Sequence, residues 1–324
     1  MAFRITKQIR TAGGRSHEVY TLADSAGGAS AEVWPSLGGN CLRWSVAGPG
    51  GPMQLLYAAP DWEQNPIPTR SGIPVLFPFP NRIREGRFRW NGKSYQLPIN
   101  CPQGRHAIHG FACRNSWRVT QESSSADSAL ICLEFDPQID APSVIEYWPG
   151  SYRLSLTITL HTSSLTLDAK VENTGEDRLP WGLGYHPYFA LLPQTEVQLD
   201  ASQQWELEHY LPTGRLLDVE GESDLRSFKP VHDLMLDHVY RCNQRPAFCG
   251  FAALRHGRLG ELRLSASPTF GDAVVFVPPH RQAICIEPYT CVTDAINMTE
   301  VESGLQILPT GKHAEARFAM RYER

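Results

Sequence analysis

Between Tyr152 and Val171 the chain alternates apolar and polar residues with a period of two. Leu154, Leu156, Ile158 and Leu160 are separated by single polar residues, and after His161-Thr-Ser-Ser164 the alternation resumes at Leu165, Leu167, Ala169 and Val171. That spacing puts every second side chain on one face of an extended strand, whereas a helix would scatter the same residues around its circumference. Two such runs joined by a short polar stretch predict an antiparallel hairpin with one buried face. A second hairpin is expected at Arg87–Trp90 and Ser94–Leu97, because Asn91-Gly92 suits the left-handed positions of a type I′ turn. Further strands are expected at Ala129–Phe135, Leu262–Ala266, Val274–Val277, Ala283–Ile286 and Ala314–Arg321, and one short helix near His232–Tyr240. Pro74, Pro78, Pro80, Pro98, Pro102, Pro180, Pro187, Pro278 and Pro279 fall between these runs, where a missing N–H costs no ladder bond. Glu122–Ser128 reads as a polar loop. The expected fold class is therefore mainly β, a large antiparallel β-sandwich.

The 324 residues, 42% of them hydrophobic, are enough for a sizeable core. This length exceeds the roughly 250–300 residues at which one core usually stops growing, although large β-sandwiches and barrels pass that limit. No repeat, charge run or convincing linker divides the chain, so residues 1–324 are expected to form a single domain. The formal charge of −4 removes a global basic field, so no nucleic-acid partner is expected. No stretch approaches the roughly 18 apolar residues of a membrane helix, so no membrane partner is expected either. The start, Met1 to Arg10, has charges but no apolar signal region, which predicts a cytoplasmic protein. The eight cysteines are dispersed without a CxxC pair, so they are expected to be reduced thiols packed as small hydrophobes.

Several nucleotide and hydrolase signatures fail on spacing. Gly86 to Gly92 has five intervening residues where a P-loop needs four, Gly182-Leu-Gly184 lacks the third glycine of a dinucleotide fingerprint, and neither HExxH nor GxSxG occurs. What remains are polar residues set in apolar, proline-rich surroundings. Arg82 follows Phe77-Pro-Phe-Pro-Asn81, and a guanidinium is a fixed donor fork for oxygen-rich ligands. His106 and His109 offer two imidazoles three residues apart, without a nearby carboxylate or thiol to complete a metal site. His186 sits in Trp181-Gly-Leu-Gly-Tyr-His186-Pro-Tyr-Phe189, where aromatics and close-packing glycines can hold an imidazole ready to titrate. Glu287 closes an apolar strand just before Pro288, as a desolvated general base or simply as the first loop residue. Asp237-His238 adds a further acid–imidazole pair.

Taken in order, these segments resemble the aldose 1-epimerase family, the galactose-mutarotase-like enzymes. The matching features are Glu32-Val-Trp-Pro-Ser-Leu-Gly-Gly39, Asn81-Arg-Ile with the hairpin to Tyr95, His109-Gly110, His186-Pro-Tyr-Phe189, Leu236-Asp-His238, and Glu287 with Asp294-Ala-Ile-Asn297. The likeness runs from roughly residue 30 to 320. It implies a β-supersandwich without an organic cofactor or a metal. It also implies Glu287 as the base at the anomeric hydroxyl and His186 as the acid at the ring oxygen. Arg82, His109 and Asp237 would bind sugar hydroxyls. Pro-Tyr-Phe after His186, rather than the Ser-Tyr-Phe of animal-type enzymes, resembles the diverse bacterial branch.

Ring opening of a hemiacetal needs one proton removed and one delivered. Reference pKa values near ~4.3 and ~6.5 predict that small shifts leave the glutamate ionised and a fraction of the histidine protonated at neutral pH. The expected activity is therefore interconversion of the α and β anomers of an aldohexose by a monomer or homodimer. Arg82, Arg84, Arg87 and Arg89 keep a phosphorylated or acidic hexose in play, and Arg87 and Arg89 are expected to share a strand face. The remaining alternatives are a non-catalytic carbohydrate-binding protein and, more distantly, a metal-dependent isomerase built on His106 and His109.

Overall fold

A computed structural model describes residues 2–324. The alternation at Tyr152–Leu160 and Ser164–Asn173 forms the predicted hairpin, in which Leu154 faces Val171, Leu156 faces Ala169 and Ile158 faces Leu167. Buried and half-buried residues alternate along both strands without a break, as a strand with one apolar face requires. This hairpin belongs to a nine-stranded antiparallel sheet. Its order is Arg118–Ser124, Ala129–Phe135, Tyr152–Leu160, Ser164–Asn173, His313–Glu323, Glu261–Ala266, Cys249–His256, Thr195–Leu199 and Lys229–Pro230. A second sheet of eight strands is ordered Leu211–Asp218, Gln203–Glu208, Asp237–Arg241, Asp272–Phe276, Ala283–Tyr289, Gly184–Tyr185 and Val75–Leu76, with Tyr188–Ala190 also paired to Ala283–Tyr289. A five-stranded meander at Phe3–Ala12, Arg15–Asp24, Ser30–Trp34, Asn40–Gly48 and Gly51–Gln54 completes the larger elements. The mainly β, antiparallel class expected from the sequence is what the chain adopts.

The main hydrophobic core draws on both large sheets and runs from Phe3 to Tyr322. In the eight-stranded sheet Ile284 and Ile286 point into that core, as do Ala273 and Val275 of the neighbouring strand and Tyr240 of the next. Their alternates, Cys285 and Tyr289, Val274, and Val239, pack in smaller apolar clusters on the opposite face. The strand Ala283–Tyr289 is thus buried on both sides, and period two delivers Glu287 to the face away from the main core.

Several expectations needed correction. The short helix near His232–Tyr240 is a 3-10 turn at Val231–Asp233 followed by the strand Asp237–Arg241. Val239 and Tyr240 are both buried on opposite faces, which is strand periodicity. The strand Arg118–Ser124 extends into the stretch read as a polar loop, leaving only a turn at residues 125–128. Pro180 lies within the strand Leu179–Trp181 rather than between strands. The strand carrying Glu287 likewise continues through Pro288 to Tyr289. The Asn91-Gly92 hairpin forms as expected, both turn residues having positive φ, and Arg87 and Arg89 share its exposed face. All eight cysteines are free thiols, six of them buried. Among the described residues no helix is long and apolar enough to cross a membrane.

Ile158 is fully buried between Ile131 and Leu167 on the neighbouring strands. Ile158→Ala is expected to lower the unfolding free energy by about 2–5 kcal/mol, read from the urea midpoint at unchanged m-value.

Candidate active site

Two short segments carry the histidines inward. His109 (φ 66°) and Gly110 (φ 60°) are consecutive left-handed residues that turn the chain sharply against Phe77. Only glycine fits the second position, since a Cβ there would lie 2.2 Å from the Phe77 carbonyl oxygen. The His109 N–H donates to the Asn81 carbonyl at 2.8 Å, beside the two-residue ribbon in which Arg82 faces Ile108. His186 lies between the strands Gly184–Tyr185 and Tyr188–Ala190, and its N–H donates to the Pro74 carbonyl at 3.0 Å. Its ring stacks on Tyr188 with centroids 4.6 Å apart, and His109 approaches it edge-on at 5.5 Å.

Glu287 completes the pair. Its Oε1 lies 3.4 Å from His186 Nε2, and its Oε2 accepts a 2.5 Å hydrogen bond from the Tyr289 hydroxyl. The Tyr188 hydroxyl donates to the Thr69 carbonyl at 2.5 Å and stands 3.4 Å from His186 Nε2. Arg82 donates from Nη1 to Asn81 Oδ1 at 3.0 Å, lies 4.8 Å from the Tyr210 ring centroid, and acts electrostatically on Glu287, Asp237 and His109. Asp237 sits at the exposed start of its strand, with its charge felt at Glu287 and Tyr289. Asp237 and Glu287 thus share one face of the eight-stranded sheet, while His186 reaches Glu287 from between two of its short strands and Arg82 and His109 come from the separate ribbon and the turn after it.

Burial sets the protonation states. Desolvation pushes the Glu287 carboxyl well above the usual carboxylate range, opposed by the Tyr289 hydrogen bond and Arg82. Desolvation lowers His186 to about 3, and it lowers His109 well below an ordinary imidazole, with His186 adding to the effect. Asp237 is raised, by desolvation first, with Arg82 opposing. The small shifts expected from the sequence are thus replaced by large opposite ones, because both members of the central pair are removed from water. Burial thus favours a neutral imidazole beside a carboxylic acid over the ion pair of the same two groups. His109 Nδ1, His186 Nδ1 and Arg82 Nε are also buried without a hydrogen-bond partner among the described residues. Each such atom in a protein interior calls for an explanation, and a role in chemistry is one of them.

Donor atoms of His186, Cys285 and Glu287 lie within 4.8 Å of one another, the one metal-like grouping among the described residues. Burial and the Glu287 charge raise the Cys285 thiol, which disfavours the thiolate a metal needs, and Tyr289 already holds one Glu287 oxygen. His106 and His109 belong to no such grouping. Arg87 bonds to Gln96 and Arg89 to the Gly92 carbonyl on their own hairpin, and Arg84 lines a separate cavity.

Tyr289 and Tyr188 were missed by the sequence reading. Period two through Cys285, Glu287 and Tyr289 was the available signal for the first, masked by Pro288, which reads as a strand end. The glycines of Trp181-Gly-Leu-Gly serve this tyrosine and its neighbours. A Cβ on Gly184 would lie 2.6 Å from the Tyr289 ring, and one on Gly182 would lie 2.4 Å from Cys291 Sγ. The Asp294-Ala-Ile-Asn297 stretch is a clamp. Asp294 Oδ1 accepts the Arg84 N–H at 3.0 Å, its own N–H donates to the Arg82 carbonyl at 2.9 Å, and Asn297 holds the Arg87 carbonyl.

Comparison with known proteins shows the family and the fold. The family model described as aldose 1-epimerase matches residues 18–321. The chain belongs to the aldose 1-epimerase family. It is 37% identical to the uncharacterized protein YphB of Escherichia coli K12 over 139 residues, covering 42% of this chain and 43% of YphB. It is 31% identical to the galactose mutarotase of Rattus norvegicus over 162 residues, covering 47% and 43% respectively. These matches span less than half the length of either relative. A galactose mutarotase-like protein from Clostridium acetobutylicum has the same fold, with a TM-score of 0.87 at 22% identity over 100% of this chain and 99% of that one.

Within this family member, Tyr289→Phe keeps the ring but removes the donor to Glu287. A hydrogen bond to an ionised group is worth about 1.5–3 kcal/mol, so the variant is expected to raise the Glu287 pKa further. An isotope-edited infrared titration of the carboxyl band, comparing wild type with the variant, measures that rise directly.

Proposed function

We propose that the chain interconverts the α and β anomers of an aldohexose, with Glu287 as base, His186 as acid, and Arg82, His109 and Asp237 holding sugar hydroxyls. The observation that carries this reading is the buried Glu287–His186 pair at 3.4 Å, flanked by an arginine and a carboxylate. An anomeric hydroxyl donates to the carboxylate and the ring oxygen accepts from the imidazolium. The C1–O5 bond then breaks, O1 becomes the aldehyde oxygen, and rotation about C1–C2 precedes reclosure by the reverse transfers. Arginine supplies donors and aspartate acceptors, the two complements that hydroxyls require. The rat galactose mutarotase, similar to this chain over 47% of its length, supports the same class of substrate.

The pair needs one proton in total. Ring opening moves it from His186 to the sugar and places the anomeric proton on Glu287, which leaves a neutral imidazole and a carboxylic acid. That is the form burial favours, so the pocket stabilises the opened sugar relative to the closed one and lowers the step that leads to it. The starting ion pair is favoured when a bound sugar donates hydrogen bonds to the carboxylate beside Arg82. Arg87 and Arg89 are committed to the hairpin surface and Arg84 to Asp294, so a phosphorylated substrate gains no support from these three.

NMR exchange between anomers of glucose and galactose tests the reading. Wild type is expected to accelerate exchange, and Glu287→Gln and His186→Asn are each expected to lose about 10²–10⁴-fold at unchanged stability. Full activity in Glu287→Gln, or binding of sugar without exchange in wild type, contradicts the assignment. The pH dependence follows from the single proton. The active form persists between the lowered His186 value, about 3, and the raised Glu287 value. kcat/KM is therefore expected to stay level through mildly acidic pH, and to fall on the alkaline side as the pair loses its proton.

A further inference from the structure

Arg281 stands in the turn that leads into the strand carrying Glu287, with a left-handed backbone (φ 57°) that is uncommon outside glycine. Its N–H donates to the Pro278 carbonyl at 2.9 Å, and the carbonyl of the next residue, Gln282, accepts the Leu191 N–H at 3.0 Å. The turn is therefore pinned on both sides. A non-glycine residue held in that conformation calls for a reason, and the side chain supplies one.

The half-buried Arg281 guanidinium meets no carboxylate among the described residues. It reaches instead past the end of Asp272–Phe276, the strand that separates those of Glu287 and Asp237, to the 3-10 turn Val231–Asp233. Nη1 donates to the Leu234 carbonyl at 2.6 Å, and Nη2 donates to the carbonyls of Val231 at 3.2 Å and His232 at 2.5 Å. Carbonyls at the end of a helical turn lack partners further along the chain, and a planar donor fork serves several of them in a fixed geometry. Asp237 follows directly as the first residue of its strand. The Leu236 carbonyl accepts the Val277 N–H at 2.9 Å and Asp237 faces Phe276, so the ladder that holds Asp237 begins only there. The charges felt at Asp237 are those of Arg82 and His238, so Arg281 acts on it through the backbone.

We propose that Arg281 is the positioning residue of Asp237. Its guanidinium ties the turn that feeds Asp237 to the turn that feeds Glu287, and thereby fixes the spacing of the carboxylate that holds sugar hydroxyls against the base. Arg281 spends these donors on the chain itself, so its effect on a sugar passes through Asp237. The proposal rests on the anomer-exchange reading for what Asp237 does, and on the three carbonyl hydrogen bonds for how Asp237 is held.

The test uses Arg281→Gly, which tolerates the left-handed backbone and removes the guanidinium, and Arg281→Lys, which keeps the charge without the fork. In NMR anomer exchange on the full chain, each variant is expected to raise KM for the sugar about tenfold with kcat little changed, the pattern of lost ground-state binding. Millimolar guanidinium is expected to restore KM in Arg281→Gly, and Arg281→Gly is expected to add nothing in an Asp237→Asn background. Wild-type KM in both variants, an equal fall in kcat, or a loss additive with Asp237→Asn would each overturn the assignment. Amide hydrogen exchange gives a readout without sugar. The amides of residues 237–239 are expected to exchange about tenfold faster in Arg281→Gly, and to slow again with guanidinium, while the core strands keep wild-type protection. Faster exchange there in a chain whose wild type turns over no sugar upholds the clamp and removes the anomer-exchange reading. Unchanged protection at 237–239 removes the clamp whatever the activity.

Discussion

A carboxyl group only 2% exposed is held in the inner strand of a sheet by one short hydrogen bond from Tyr289. An unpaired carboxylate in such a place is costly enough that it ordinarily takes up a proton instead. Here the Tyr289 hydrogen bond and the nearby guanidinium of Arg82 offset part of that cost. The glycines around His186 let the tyrosine ring approach, and the left-handed turn at His109 seats the second imidazole. Packing, backbone conformation and protonation are therefore facets of one problem, which is how to keep a titratable pair out of water without neutralising its reactivity.

The sheet solves the positional half of that problem. A strand covered on both faces reads as continuously apolar, yet period two still distinguishes its faces. Ile284 and Ile286 anchor Ala283–Tyr289 in the main core, so Cys285, Glu287 and Tyr289 have no freedom to move relative to it. Neighbouring strands contribute Asp237 and the Val274 floor on the same side. Groups separated by tens or hundreds of residues thereby acquire a fixed spacing without any loop having to be held by itself.

The legible parts of the sequence were those governed by local periodicity or turn chemistry. The Tyr152–Val171 hairpin and the Asn91-Gly92 turn needed only the alternation of leucines and a positive-φ pair. Arg82, His109, His186, Asp237 and Glu287 stood out because polar groups in apolar, proline-rich segments are unusual, and the structure gathers them together. Two readings failed for one shared reason, that tertiary pairing overrode a local signal. Asp237–Arg241 became a strand because Asp272–Phe276 offered it a ladder, and the strand Ala283–Tyr289 ran past Pro288 because Tyr289 had a partner in Gly184. The protonation states could not be read from the residue types, since they depend on how completely the surrounding chain excludes water.

The placement of one strand bears on how the molecule is made. His313–Glu323 is the latest in sequence of the nine strands in its sheet, yet it lies near the middle, between Ser164–Asn173 and Glu261–Ala266. During synthesis the two halves of that sheet must wait with open edges until this segment leaves the ribosome and joins them. Contacts so distant along the chain form slowly, and unpaired strand edges invite wrong partners in the meantime. Only once Ala266 has been made can both half-sheets exist, and they remain unjoined until His313–Glu323 closes the central seam.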